Sequence, residues 1–62
     1  MREWLIKKRI DKNKSQNELA KACKITNSYY CMIETGKRNP STKVAKLIAK
    51  ELDINWVIFF AN

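Results

Sequence analysis

The apolar residues of this chain recur at helical spacing in short blocks, and each block is bounded by residues that start or stop a helix. In the first block Met1, Leu5 and the stem of Arg9 fall at i, i+4 intervals with Ile10 beside them, which predicts a helix from about Arg2 to Asp11. Ser15 followed three residues later by Glu18 reads as a capping box: the serine oxygen can accept from the Glu18 amide while the glutamate returns to the serine amide. A second helix therefore starts there, carries Leu19, Ala20 and Cys23 on one face, and ends near Cys23 or Lys24. Thr26 is a natural cap for a third helix with Tyr30 and Ile33 inside, ending near Thr35 with Gly36 as the residue that leaves it. Ser41 opens a fourth, in which Val44, Leu47, Ile48 and Leu52 recur on one side while Lys43, Lys46, Lys50 and Glu51 face outward. Asn55 caps a final short helix containing Trp56, Phe59 and Phe60. The pattern predicts an all-α chain of five short helices.

Helices two and three are joined by a turn of about three residues, within the range of a helix-turn-helix unit, here about residues 15–35. Ala20 is small enough to let the third helix cross closely, and Ile25 can pack beneath the turn. Asn13 suits the turn before helix two, because asparagine is the non-glycine residue that best tolerates a left-handed backbone. With Tyr30 and Ile33 inward, an advance of about 100° per residue turns Ser28, Cys31, Met32 and Thr35 away from the core. Asn27 and Tyr29 fall on the flanks. These residues are the candidates for contact with a groove.

Size, composition and charge narrow the class. Sixty-two residues make one domain, 1–62, near the lower limit for folding without a metal or a disulfide. With one Gly and one Pro, the composition favours helices over a turn-rich sheet. No apolar run approaches the roughly 20 residues needed to span a bilayer, and the start lacks the apolar core of a secretion signal, so a cytoplasmic protein is expected. Thirteen Lys and Arg against six Asp and Glu give a net charge of +7, suited to a polyanion, although a solvated basic surface without a partner has the same composition. Residues 1–14 carry Arg2, Lys7, Lys8, Arg9, Lys12 and Lys14, and residues 36–50 carry Lys37, Arg38, Lys43, Lys46 and Lys50 with no acid. Between them Lys21 and Lys24 balance Glu18 and Glu34. Basic segments flanking a nearly neutral helix are expected if phosphates are gripped on both sides of a groove.

Catalysis and metal chemistry find little material. There is no histidine, and Cys23 and Cys31 supply only half of a tetrahedral zinc set, so neither a metal nor another cofactor is expected. A disulfide is not expected in the cytosol. Cys23 reads as a small core hydrophobe, whereas Cys31 points away from that core. No small-molecule ligand is evident, and the chain is not expected to be an enzyme.

The order and spacing of Ser15-Gln16, Glu18-Leu19-Ala20, Ile25-Thr26, Ile33-Glu34, the run Gly36 to Ser41 and the segment Ala49 to Leu52 resemble the Cro and lambda-repressor type of helix-turn-helix family. The resemblance covers nearly the whole chain. It implies a lambda-repressor-like bundle that binds double-stranded DNA sequence-specifically as a small transcriptional regulator, a repressor of phage or mobile-element type, with the helix at about 27–35 in the major groove. It also implies base contacts from Asn27, Ser28 and Met32, with Cys31 on the same face. Gln16 corresponds to a family glutamine that bonds a phosphate and braces the first reading residue. Thr35, Lys37 and Arg38 lie in the segment that holds the backbone on the other side. Tyr29 either bonds a phosphate or completes the core. Arg9 and Glu34 stand where the family forms a partly buried ion pair. Tyr30 replaces the usual Ile or Val, so its hydroxyl needs a partner, and Lys24 replaces a frequent turn glycine.

Trp56 to Phe60 is five apolar residues in succession, more than one side of so short a helix can bury. Val57 and Ile58 stand where the family is usually polar, which makes them candidates for a homodimer contact on a partly palindromic operator. The other reading folds these residues over the base of the core. A further use of the same fold is a protein-interaction module or antitoxin.

Overall fold

The computed structural model describes residues 1–61, which form four α-helices and a C-terminal 3-10 helix, with no strand among them. The helices are α1 (Glu3–Asp11), α2 (Gln16–Ala22), α3 (Asn27–Thr35) and α4 (Thr42–Leu52), followed by the 3-10 helix Trp56–Phe60. The start signals act as their side chains dictate. Ser15 Oγ accepts from the Glu18 amide at 3.0 Å while Glu18 Oε1 accepts from the Ser15 amide at 2.8 Å, completing the capping box. Thr26 accepts from the Tyr29 amide at 3.0 Å, Ser41 from Val44 at 3.2 Å and Asn55 from Val57 at 3.1 Å.

All four helices are left through a residue with positive φ: Asn13 (57°), Lys24 (59°), Gly36 (88°) and Asp53 (57°). After α2 the Lys24 amide donates to Lys21 O at 3.1 Å and the Ile25 amide to Ala20 O at 3.0 Å, the paired bonds of a Schellman ending. The same pairing follows α1, where the Asn13 and Lys14 amides reach Ile10 and Arg9. Asp53 has no glycine or asparagine signal and was not expected to turn left-handed; Ile54, whose amide bonds Ala49 O at 3.0 Å, draws it there by packing on the core.

The core runs through every element. Leu5 from α1, Leu19, Ala20 and Cys23 around α2, Tyr30 and Ile33 from α3, and Ala45, Ile48 and Leu52 from α4 are buried together with Phe59. Val44 and Leu47, expected inside, are half-buried at its edge, with Ala45 and Ala49 taking the inner positions of α4. Helix α1 ends at Asp11 as expected but differs in its start and in two of its apolar positions. It starts at Glu3, because the Arg2 amide donates to Glu34 O at 2.8 Å and carries the preceding chain across the end of α3. Met1 is consequently 82% exposed, and Trp4 serves that side of the core by packing edge-to-face on Phe59 at 5.1 Å. Ile10 is also exposed, since five residues place it about 140° around the helix from Leu5.

Candidate nucleic-acid interface

Helix α3 is fixed from its inner side. Tyr30, Ile33 and Glu34 are buried, and Ala20 at 1% exposure lets α2 pass close behind them. A carboxylate in this position would be costly to bury alone, and every partner it needs is present. Arg9 Nε donates to Glu34 Oε2 at 2.6 Å, Tyr30 Oη donates to the same oxygen at 2.7 Å, and Gln16 Nε2 donates to Oε1 at 2.9 Å. Arg9 Nη1 also reaches Lys14 O at 2.9 Å. One carboxylate thus joins α1, the start of α2 and the end of α3.

The electrostatics follow from these bonds. Burial pushes the Glu34 carboxyl up, but the hydrogen bonds from Arg9, Gln16 and Tyr30 outweigh it and hold the group below its ordinary value. The same Glu34 bond raises Arg9. Burial, followed by the neighbouring carboxylate, drives the Tyr30 phenol far up, so it remains a donor. The expected Arg9–Glu34 pair is therefore formed. Gln16 is held by Glu34, and its amide is braced against that carboxylate rather than against Asn27.

On the opposite face of α3, Asn27 and Ser28 are exposed, while Cys31, Met32 and Thr35 are half-exposed. Thr35 Oγ1 donates to Met32 O at 3.2 Å. Tyr29 divides its role: its ring packs against the core, and its hydroxyl accepts from the Ser41 amide at 3.4 Å, joining α3 to the start of α4. Lys37 and Arg38 are exposed on the loop after α3, and the Arg38 amide donates to Met32 O at 3.2 Å. Neither cysteine is bonded; burial pushes the Cys23 thiol up to about 11, with the Glu51 carboxylate adding to the shift, as befits a core side chain.

The cations are not all available to a polyanion. Lys7, Lys8 and Lys12 are exposed, whereas Arg9 is engaged by Glu34 and Arg2 by the end of α3. Lys46 Nζ lies over the Trp56 ring at 5.0 Å. The even flanking charge of the sequence is thus corrected: Arg2 and Arg9 belong to the scaffold. Charge counting could not find this, because an arginine at residue 2 and one at residue 9 look alike until the chain is folded.

Asn27, Ser28, Cys31, Met32 and Thr35 thus form an outward face on a helix held from behind, with Lys37 and Arg38 exposed beyond its end. Comparison with known proteins gives the family. The helix-turn-helix family profile matches residues 5–59. A Bacillus subtilis (strain 168) protein named "Uncharacterized HTH-type transcriptional regulator YqaF" is 50% identical over 62 residues, covering 100% of this chain and 82% of its own length. No solved structure matches significantly. With the fold, the spacing and the family match in agreement, this chain belongs to the Cro/C1-type helix-turn-helix family of DNA-binding transcriptional regulators.

Proposed function

We propose that the chain is a sequence-specific repressor of phage or mobile-element type that inserts α3 into the major groove of double-stranded DNA in the bacterial cytoplasm. The observation that carries this reading is the two-sided character of α3: Tyr30, Ile33 and Glu34 are locked inside while Asn27 and Ser28 stand free at its N-terminal end. Asn27, Ser28 and Met32 read base edges, with Cys31 beside them. Lys37 and Arg38 hold the DNA backbone, joined by the second amide hydrogen of Gln16, by the Tyr29 hydroxyl hydrogen, which the Ser41 contact leaves free, and by Thr35 when its hydroxyl turns from Met32 O to a phosphate. The chain acts by binding and not by catalysis.

A single copy measures 27 Å along its longest axis, whereas successive major grooves on one face of B-DNA lie about 34 Å apart. Two copies are needed to read two half-sites. Val57 and Ile58 are 49% and 44% exposed on the 3-10 helix, and they supply the apolar edge for a weak homodimer on a partly palindromic operator.

Titration of a labelled random-sequence duplex at two salt concentrations tests the DNA reading, and selection of bound sequences from a random pool then gives the half-site and its spacing. Steep salt dependence and paired half-sites are expected. Salt-insensitive or absent binding would overturn the reading and turn the exposed 3-10 edge over to a protein partner, as in an interaction module or antitoxin.

A further inference from the structure

We infer that Arg2 is a positioning residue for the DNA-gripping loop, fixing the backbone from which Lys37 and Arg38 extend without itself reaching a phosphate. Its guanidinium is surrounded by acceptors from one region of the fold. Arg2 Nη1 donates to Ile33 O at 2.5 Å and to Arg38 O at 3.1 Å, and Nη2 donates to Asn39 Oδ1. The same group lies over the Phe59 ring at 5.9 Å, and the Arg2 amide donates to Glu34 O at 2.8 Å.

The Ile33 and Glu34 carbonyls are among the last four of α3 and carry the negative end of its dipole; Ile33 O takes only a long 3.3 Å bond from the Gly36 amide, which leaves it a lone pair for Arg2. A cation placed there satisfies them directly. The consequence lies one step further along the chain. Arg38 is tied at both ends of its residue, its amide to Met32 O at 3.2 Å and its carbonyl to Arg2 at 3.1 Å, so its side chain leaves from a backbone anchored to the reading helix. Only a planar fork can bridge three acceptors and stack on a ring at once; a lysine ammonium carries the same charge from a single point.

This inference rests on the DNA reading given above, and Arg2→Lys separates the two. The variant keeps the net charge of +7 and loses the fork. Binding to a labelled random-sequence duplex is measured for the natural chain, Arg2→Lys, the loop variant Lys37→Ala/Arg38→Ala, and the combination. Arg2→Lys should bind about fivefold more weakly, a size usual for residues acting through packed neighbours, and should cost nothing further once the loop cations are gone. Binding equal to the natural chain, or the same loss in both backgrounds, would overturn the inference. Asn39→Ala, which breaks the contact from the loop side, should weaken binding in the same direction and guards against a fold defect particular to Arg2→Lys.

Amide hydrogen exchange on the free protein provides a readout without DNA. Arg2→Lys should accelerate exchange at the Arg38 amide, which is bonded to Met32 O, relative to the buried amides of α4. Unchanged protection there would sink the inference even if DNA binding fell. Failure of the natural chain to bind DNA would instead sink the proposed function, while the exchange comparison still decides whether Arg2 holds the loop.

Discussion

The hydroxyl of Tyr30 donates to Glu34 Oε2 at 2.7 Å, sharing that oxygen with Arg9 Nε at 2.6 Å. Where the family resemblance places an aliphatic side chain, this chain has a donor aimed at its buried carboxylate, one turn away on the same helix. The bulk of the ring fills the centre of the core and its polar end satisfies the acid, so the apparent misfit at position 30 is matched by an unusually complete set of bonds at position 34.

Tyr30→Phe keeps the ring and removes that donor. A hydrogen bond to a charged group contributes about 1.5–3 kcal/mol, and a loss in that range is expected in the urea unfolding free energy. An unchanged unfolding midpoint would mean that Arg9 and Gln16 alone satisfy the carboxylate.

Acid should unfold the protein in part through Glu34. Its folded pKa lies below its ordinary value of 4.5, so the unfolded chain takes up the proton first as pH falls. The stabilisation is therefore complete above about 4.5 and is lost as pH drops through the lower folded value. Glu18, held low mainly by its bond from the Ser15 amide, titrates in the same window. Melting temperatures of the natural chain and Glu34→Gln followed into acid isolate Glu34: the variant should be about 3 kcal/mol less stable at neutral pH, with Arg9 left uncompensated, and should decline less steeply in acid. Parallel acid profiles would contradict the assignment.

The left-handed residue after α2 gives a gain-of-stability test. Lys24 at φ 59° carries a steric cost that glycine lacks, partly offset by the greater freedom of glycine in the unfolded chain. Lys24→Gly is expected to stabilise by about 0.5–1 kcal/mol. Gly36→Ala should destabilise by a similar amount through backbone strain, since an added Cβ would meet Met1 N at an ordinary 3.7 Å and not clash. Calorimetric melting of both variants checks the pair.

Base reading by Asn27 and Ser28 predicts a local change of preference. Asn27→Ala should relax selection at one base position of each half-site by about 1–3 kcal/mol while leaving the remaining positions and the salt dependence in place. Ser28→Ala should act at a neighbouring position. Sequence selection with each variant measures this, and enrichment identical to that of the natural chain would refute the assigned face.

Dimerisation through the 3-10 helix predicts a loss of cooperativity without loss of half-site affinity. Val57→Ser with Ile58→Ser should abolish joint occupation of two half-sites in a gel-shift titration while single half-site binding stays within about twofold, because both side chains are already 49% and 44% exposed and contribute little to the core. Retained cooperativity would move the interface elsewhere.

Most of the architecture was legible in the residues themselves. Ser15 with Glu18, Thr26, Ser41 and Asn55 each cap the helix assigned to them, and Asn13, Lys24 and Gly36 each end one through a positive φ. These signals act over three or four residues, within reach of a side chain and its own backbone, so no distant part of the fold is needed to read them. Asp53 escaped because its conformation is drawn by the packing of Ile54 and not by its own side chain. Met1 and Ile10 escaped because helical periodicity does not say where a helix begins or how wide its buried stripe is.

The sequence by itself determined the order of the helical elements and the inner face of α3, and its family resemblance pointed to the ion pair between Arg9 and Glu34. Only the tertiary structure decided which cations remain free. Arg2 meets carbonyls and an amide oxygen 31 to 37 residues away, and Lys46 meets the ring of Trp56. The reason is physical: a charge looks the same at every position of a chain, and its role is set by the acceptors that folding brings within hydrogen-bonding distance.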